Sequence, residues 1–183
     1  MLLYHLHDWQ RAALAPFRMI AGATQAAFQN PFLPTAYTRF GRSLAAGAEV
    51  FERTTRNFSK PTFGLTSTKI HGDTVAVEEE IVLSKPFCRL VHFKRATQEN
   101  HPRVLLVAPM SGHHATLLRG TVEAMLPEHD VYITDWVDAK LVPLSEGKFD
   151  LEDYVSYVMD FTRHLGPDVH LMAICQPAPA VLM

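Results

Sequence analysis

A chain of 183 residues with 17 basic and 19 acidic side chains carries a formal charge of −2, which leaves no electrostatic case for a nucleic-acid partner. Apolar residues make up 48% of it, enough for a real core, yet no apolar run has the length of a transmembrane segment. Two cysteines and no signal-peptide pattern point to a reducing, cytoplasmic compartment, and the ten scattered histidines lack metal-ligand spacing, so neither a metal nor another cofactor is expected.

Residues 1–60 read as a helical N-terminal extension. Residues 8–29 and 36–58 carry helical periodicity and are separated by Asn30-Pro31-Phe32-Leu33-Pro34, where two prolines and an asparagine break the pattern. In the first helix Leu14, Phe17, Met19, Ile20 and Phe28 form an apolar face with Arg11 and Arg18 beside it. Such a face packs on a core or a partner subunit, the general case, or lies on an apolar interface.

Residues 61–183 change character. Residues 74–83 and 87–94 are rich in β-formers and joined by Ser84-Lys85-Pro86, which predicts an antiparallel hairpin. The run Glu78-Glu79-Glu80 breaks its alternation and reads as a solvated edge or bulge, since like charges in sequence mark an exposed face. Residues 103–109 form an apolar strand that ends in the polar loop Met110-Ser111-Gly112-His113-His114, and a helical segment follows over 115–126. Residues 130–136 predict a second apolar strand, and the polar stretch 137–148, with Pro143 and Gly147, borders a pocket. A helix over 151–164 stops at Gly166-Pro167, and a last strand over 168–174 runs into Cys175-Gln176-Pro177. Short apolar strands alternating with helices imply a parallel sheet covered on both faces, with chemistry at the carboxyl ends of the strands.

A strand that ends at a nucleophile and reverses at once into a helix is the nucleophile elbow of α/β-hydrolases. Here its window is A-I-C-Q-P: Ala173 and Pro177 stand at the usual glycine positions and Cys175 replaces serine. A buried structural cysteine is the plain alternative. The loop after the strand over 103–109 moves the balance toward catalysis, because this fold keeps one oxyanion-hole N–H after an early strand and the other on the residue after the nucleophile. Gln176 and Met110 are therefore the candidate donors, with Ser111 as a one-residue slip, and His113 and His114 are assigned to shaping the substrate-binding pocket. Chain order in this fold places the acid and then the histidine after the nucleophile, so Asp135, Asp138 and the loop histidines are disfavoured as triad members. The eight residues after Cys175 contain no Asp, Glu or His.

The elbow, the loop A-P-M-S-G-H-H-A-T-L-L-R-G-T-V-E and the following Y-I-T-D-W together resemble the intracellular polyhydroxyalkanoate (polyhydroxybutyrate) depolymerases, over nearly the whole chain. The resemblance implies an α/β-hydrolase, with a cysteine nucleophile at Cys175, that cleaves poly(3-hydroxybutyrate) on cytoplasmic storage granules; the polymer or granule surface is then the partner. It implies a role in granule docking for the apolar face of the first helix. Two other readings stay open. A polyhydroxyalkanoate synthase-type acyltransferase also uses an elbow cysteine, but keeps glycines where Ala173 and Pro177 stand. A non-catalytic granule-associated protein is the third. The chain reads as the first part of an α/β-hydrolase, ending just after the elbow with its nucleophile strand at an open sheet edge, and a homo-oligomer or poor solubility is expected. A thiol needs a base or a helix N-terminus to become a strong nucleophile. The 183-residue chain alone is thus expected to turn over no soluble nitrophenyl ester or thioester at an enzymatic rate; steady turnover that disappears on Cys175→Ala would mean that a base is present after all.

Overall fold

The computed structural model describes residues 6, 9–10, 12–56, 60–110 and 114–183. The chain divides into two compact units, Met1–Ser59 and Lys60–Met183.

The first unit is a helical hairpin of α1 (Ala15–Gln29) and α2 (Arg39–Thr55), with a 3-10 turn at Pro34–Tyr37 between them. Pro16 sits in the first turn of α1, where its missing N–H costs no intrahelical bond. Asn30 ends the helix by turning its side chain back on the chain, its Oδ1 accepting from the Phe32 N–H at 3.0 Å. Thr38 caps α2 by accepting the Gly41 N–H at 3.0 Å. Gly41 is required there: a Cβ would lie 2.0 Å from the Thr35 carbonyl oxygen. Arg18 reaches across the hairpin and donates to the Thr55 carbonyl at 2.9 Å, satisfying an orphan acceptor at the end of α2. Helix α2 starts later than periodicity predicts because Pro34-Thr35-Ala36-Tyr37 takes the tighter turn. Of the predicted apolar face, Leu14 and Phe28 are half-buried, whereas Phe17, Met19 and Ile20 are exposed.

The second unit is an α/β arrangement on one six-stranded mixed sheet. Its strands are β1 (Ser67–Ile70), β2 (Asp73–Ser84), β3 (Cys88–Arg95), β4 (Arg103–Val107), β5 (Asp130–Trp136) and β6 (Val169–Ala173), in the spatial order β1-β2-β3-β5-β4-β6. The first strand was not predicted. It forms a hairpin with β2 through His71 (φ 50°) and Gly72 (φ 96°), the two positive-φ residues that a tight hairpin turn needs. Strands β2 and β3 pair antiparallel as expected, with a register shift between Ile81 and Leu83, and all three of Glu78, Glu79 and Glu80 are exposed. Strand β5 is antiparallel to β3, and β4 is parallel to both β5 and β6.

Helices lie on both faces. After β4 come a 3-10 turn (Ala115–Leu118) and the short α3 (Arg119–Met125), in place of one continuous helix. Arg119 Nε donates to the Phe63 carbonyl at 2.7 Å, and Phe63 packs edge-on against Phe93 of β3. Between β5 and β6 runs α4 (Leu151–Leu165), which buries Tyr154, Val158, Phe161 and Leu165 at helical spacing and stacks Tyr154 on Trp136. Asp150 and Asp153 form a reciprocal capping box at its start, and Arg103 Nη1 donates to the Leu165 carbonyl at 2.7 Å at its end. Phe93 and Trp136 lie on opposite faces by strand alternation, since Trp136 pairs with Cys88, an odd number of residues from Phe93. The core between them includes Leu90, Leu105, Leu106, Val131 and Ile133, all fully buried. No helix among the described residues is long and apolar enough to cross a membrane.

At the end of the sheet where β4 and β5 begin, Asp130 accepts from Tyr132 at 3.1 Å and pairs with His92 Nε2 at 2.7 Å, while the His92 and Tyr132 rings stack 4.2 Å apart. Burial pushes the Asp130 carboxyl up, but the His92 hydrogen bond and charge, the Tyr132 hydroxyl and the Arg95 charge outweigh it and hold the carboxyl below its usual range. Burial and then the Asp130 charge push the Tyr132 hydroxyl up to about 12. A carboxyl held low in the folded state contributes stability above its unfolded value, near 4, and loses it as pH falls through the folded value. Asp130→Asn should therefore cost about 1.5 to 3 kcal/mol at neutral pH, the range for hydrogen bonds to a charged group, and should flatten the acid limb of stability below about pH 5. Urea midpoints measured from pH 3 to pH 7 check this; an unchanged acid limb would remove Asp130 from the account.

Candidate active site

The parallel ladder of β4 and β6 runs in register to Val107↔Ala173. Three residues past these partners stand Met110 and Gln176, so the pairing delivers the two predicted oxyanion donors to the same place at the carboxyl edge of the sheet. The exit from β4 is fixed from beneath. The Ala108 N–H donates to Thr134 Oγ1 at 2.9 Å and the Ala108 carbonyl accepts from Trp136 Nε1 at 2.9 Å, both from β5, so buried side chains determine the path of the chain into Met110.

At the end of β6 the chain turns sharply. Cys175 has φ 68°, in the left-handed region that non-glycine residues rarely adopt. The Ala178 N–H donates to the Cys175 carbonyl at 3.2 Å, closing the turn, and Pro177 leads into α5 (Ala178–Leu182). Cys175 is exposed and free. Cys88 is its opposite: fully buried in β3, with its thiol pushed well up by burial and then by the charge of Asp135. The plain reading of a structural cysteine fits Cys88, and the exposed thiol on a strained turn is Cys175.

The Met110 N–H points at the elbow. It donates to the side chain of Gln176, with Oε1 at 2.8 Å, and among the described residues the Gln176 N–H has no acceptor. One candidate donor is therefore held by a carboxamide oxygen and the other is open. Ser111 and His113 lie outside the described residues. His114 is half-buried and lines a cleft of ≈ 620 Å³ together with Met110, Phe87, Trp136 and Phe149. Val137, Asp138, Ala139 and Gly147 of the predicted pocket-bordering segment line the same cleft. A second cleft of ≈ 430 Å³ shares Met110 and Phe149 and is lined also by Gln176, Tyr154 and Ala180. Met110 thus stands on the wall between two largely apolar troughs.

Neither disfavoured carboxylate bonds to Cys175. Asp135 is buried and ion-paired with Lys60, and it lines a separate cleft of ≈ 300 Å³ with Phe63 and Glu79. Asp138 accepts from the Lys140 N–H at 3.2 Å and caps the 3-10 turn Ala139–Leu141. Among the described residues no histidine or carboxylate makes a hydrogen bond or ion pair with Cys175, and none forms a group able to hold a metal ion.

The sequence reading missed the aromatic lining. Phe87 stacks on Phe149 at 4.5 Å, and Trp136 meets Phe149 at 5.9 Å and Tyr154 at 4.5 Å, forming one continuous wall. The available signal was a tryptophan closing an apolar strand and a phenylalanine one residue before a helix cap. Comparison with protein-family profiles, with curated proteins and with solved structures finds no match for the chain.

The positive φ of Cys175 makes a stability prediction that is independent of activity. Left-handed backbone costs a non-glycine residue roughly 1–2 kcal/mol, partly offset in a glycine variant by its greater unfolded-state freedom. Cys175→Gly should match or exceed the parent in stability, Cys175→Ala should stay close to it, and Cys175→Val should fall below the glycine variant by at least about 1 kcal/mol. Urea midpoints order the three, and a valine variant as stable as the glycine one would rule out a strained turn.

Proposed function

We propose that this chain carries the nucleophile of an α/β-hydrolase that transfers the acyl group of a storage polyester, poly(3-hydroxybutyrate) or a related polyhydroxyalkanoate, to the thiol of Cys175. The observation that carries the reading is the exposed Cys175 at φ 68° where a parallel strand ends, with the Met110 N–H directed at the next residue. The strand order supports the fold: the chain moves from β4 out to β5 and returns past β4 to β6, and ligands of open α/β sheets bind at the carboxyl ends where the order reverses. The family resemblance of the elbow and of the loop after β4 supplies the substrate class.

The chemistry follows from the placement. The Cys175 thiolate attacks an ester carbonyl carbon, the carbonyl oxygen takes up the charge, and the N–H groups of Met110 and Gln176 stabilise it. Collapse breaks the C–O bond, the departing alkoxide end of the polymer takes a proton from solvent, and a thioester remains on Cys175, which water then cleaves to the free acid and the thiol. The two clefts that meet at Met110 and Phe149 suit the two sides of a scissile ester in a chain, and their apolar walls suit a polymer without charges or donors. With no base bonded to Cys175 among the described residues, acylation is the step this arrangement serves and deacylation is slow. The exposed Phe17, Ile20 and Phe32 of the helical hairpin support docking on an apolar granule surface in the cytoplasm.

A p-nitrophenyl ester of 3-hydroxybutyrate at mildly alkaline pH should release about one equivalent of nitrophenolate, add one acyl group at Cys175 by peptide mass, and then stop. Cys175→Ala should abolish the release; acylation of any other residue in its place defeats the reading. The double variant Phe17→Asp, Ile20→Asp should reduce co-sedimentation with amorphous polyester granules several-fold, and undiminished binding would remove α1 from the docking role.

A further inference from the structure

We propose that the Gln176 side chain gates the oxyanion site: its carboxamide oxygen occupies the Met110 N–H until the carbonyl of an incoming acyl group displaces it. The gate rests on the reading of Cys175 as the nucleophile and goes beyond it, because that reading concerns only the backbone N–H of Gln176. The group bound to Met110 is itself a carbonyl oxygen at 2.8 Å, the distance and chemistry that an ester carbonyl would present. It comes from the residue whose own N–H is the other donor, so one residue supplies half of the site and covers the other half.

Three features separate a displaceable gate from a structural strut. Gln176 and Met110 are both exposed and both line the ≈ 430 Å³ cleft, so the bond lies on a wall that a ligand can reach. The path of the chain into Met110 is already fixed by the two bonds of Ala108 to Thr134 and Trp136, so the backbone leaving β4 does not depend on Gln176 for its position. The acceptor is neutral, and a neutral hydrogen bond exchanged for another of the same kind is lost without penalty. A carboxylate in its place would bind the N–H more tightly and repel the charge that develops on the acyl oxygen.

The test compares Gln176 with Gln176→Ala and Gln176→Glu using two reagents at about pH 9, where buffer takes the thiol proton. With p-nitrophenyl acetate, the thiolate attacks the carbonyl carbon, a C–S bond forms, the C=O electron pair moves to oxygen, and collapse releases p-nitrophenolate with the C–O pair. With dithiobis(nitrobenzoate), the thiolate attacks sulfur, a new S–S bond forms, and thionitrobenzoate leaves without any charge on a carbonyl oxygen. The ratio of the two rates at Cys175 isolates the oxyanion site from thiol exposure and acidity. We expect the alanine variant to raise the ratio about two- to ten-fold, the worth of one neutral hydrogen bond, and the glutamate variant to lower it by at least as much. Amide hydrogen exchange at Met110, which does not involve the cysteine, should speed up in Gln176→Ala. Unchanged exchange overturns the gate, and so does faster exchange with an unchanged ratio. If no variant is acylated at Cys175 although all react with the disulfide, the nucleophile reading fails and the gate fails with it.

Discussion

The carboxyl edge of the sheet depends on one constraint, the in-register parallel pairing of β4 with β6. Strand side chains alternate faces with period two, so a slip of one residue at Val107↔Ala173 would invert every side chain of β6 relative to the core and carry Gln176 away from Met110. The slip is resisted from the β4 side. Val104, Leu105, Leu106 and Val107 are buried on both faces, so β4 tolerates no register in which its neighbours leave either face uncovered. Strand β6 is far less buried, with Leu171 and Met172 both partly exposed, so its register is set by its partner rather than by a core of its own.

A second layer of control comes from polar groups inside the core. Thr134 is fully buried and Trp136 nearly so, and each uses its hydrogen-bonding atom on the backbone of Ala108. In a low-dielectric interior such bonds are costly to leave unmade, so they select one path for the chain out of β4. Trp136 does two things at once: its ring builds the aromatic wall with Phe149 and Tyr154, and its N–H anchors the backbone beneath Met110. Fold stability and the geometry of the cleft are thus coupled through one side chain.

What the sequence made legible was what local chemistry decides. The strand at Asp130–Trp136 follows from a continuous apolar run and the helix beginning at Leu151 from its helical pattern and the Gly166-Pro167 stop, and the structure has both within a residue of the expected ends. The strand-to-helix turn at Cys175 was legible because an apolar strand, a cysteine and, two residues on, a proline follow one another. Strand β1 was not, since four residues of mixed polarity carry no hydrophobic pattern, although the His71-Gly72 pair was a turn signal of the right kind. The helix expected over 115–126 begins as a 3-10 turn because His114 enters in extended geometry and Leu118 ends outside the α region. The aromatic wall and the Gln176–Met110 bond were beyond reach for a different reason. Each joins segments far apart in sequence, and only the β4–β6 register and the packing of α4 determine that they meet.

The turn at Cys175 forms with alanine and proline, not glycine, two residues to either side, and its neighbours explain how. On the strand side, Ala173 is still in the ladder with Val107, so the backbone cannot begin to turn earlier. On the helix side, Pro177 is fully buried at φ −74°, close to the value its ring enforces, and is suited to a helix start. Reversal must then occur between these two fixed points: Cys175 takes the positive φ, and the Ala178 N–H to Cys175 carbonyl bond closes the turn across Gln176 and Pro177. Proline also restricts the residue before it, disfavouring the helical region for Gln176. Pro177 therefore does more than preserve the turn: it limits the backbone freedom of the residue whose carboxamide oxygen accepts the Met110 N–H.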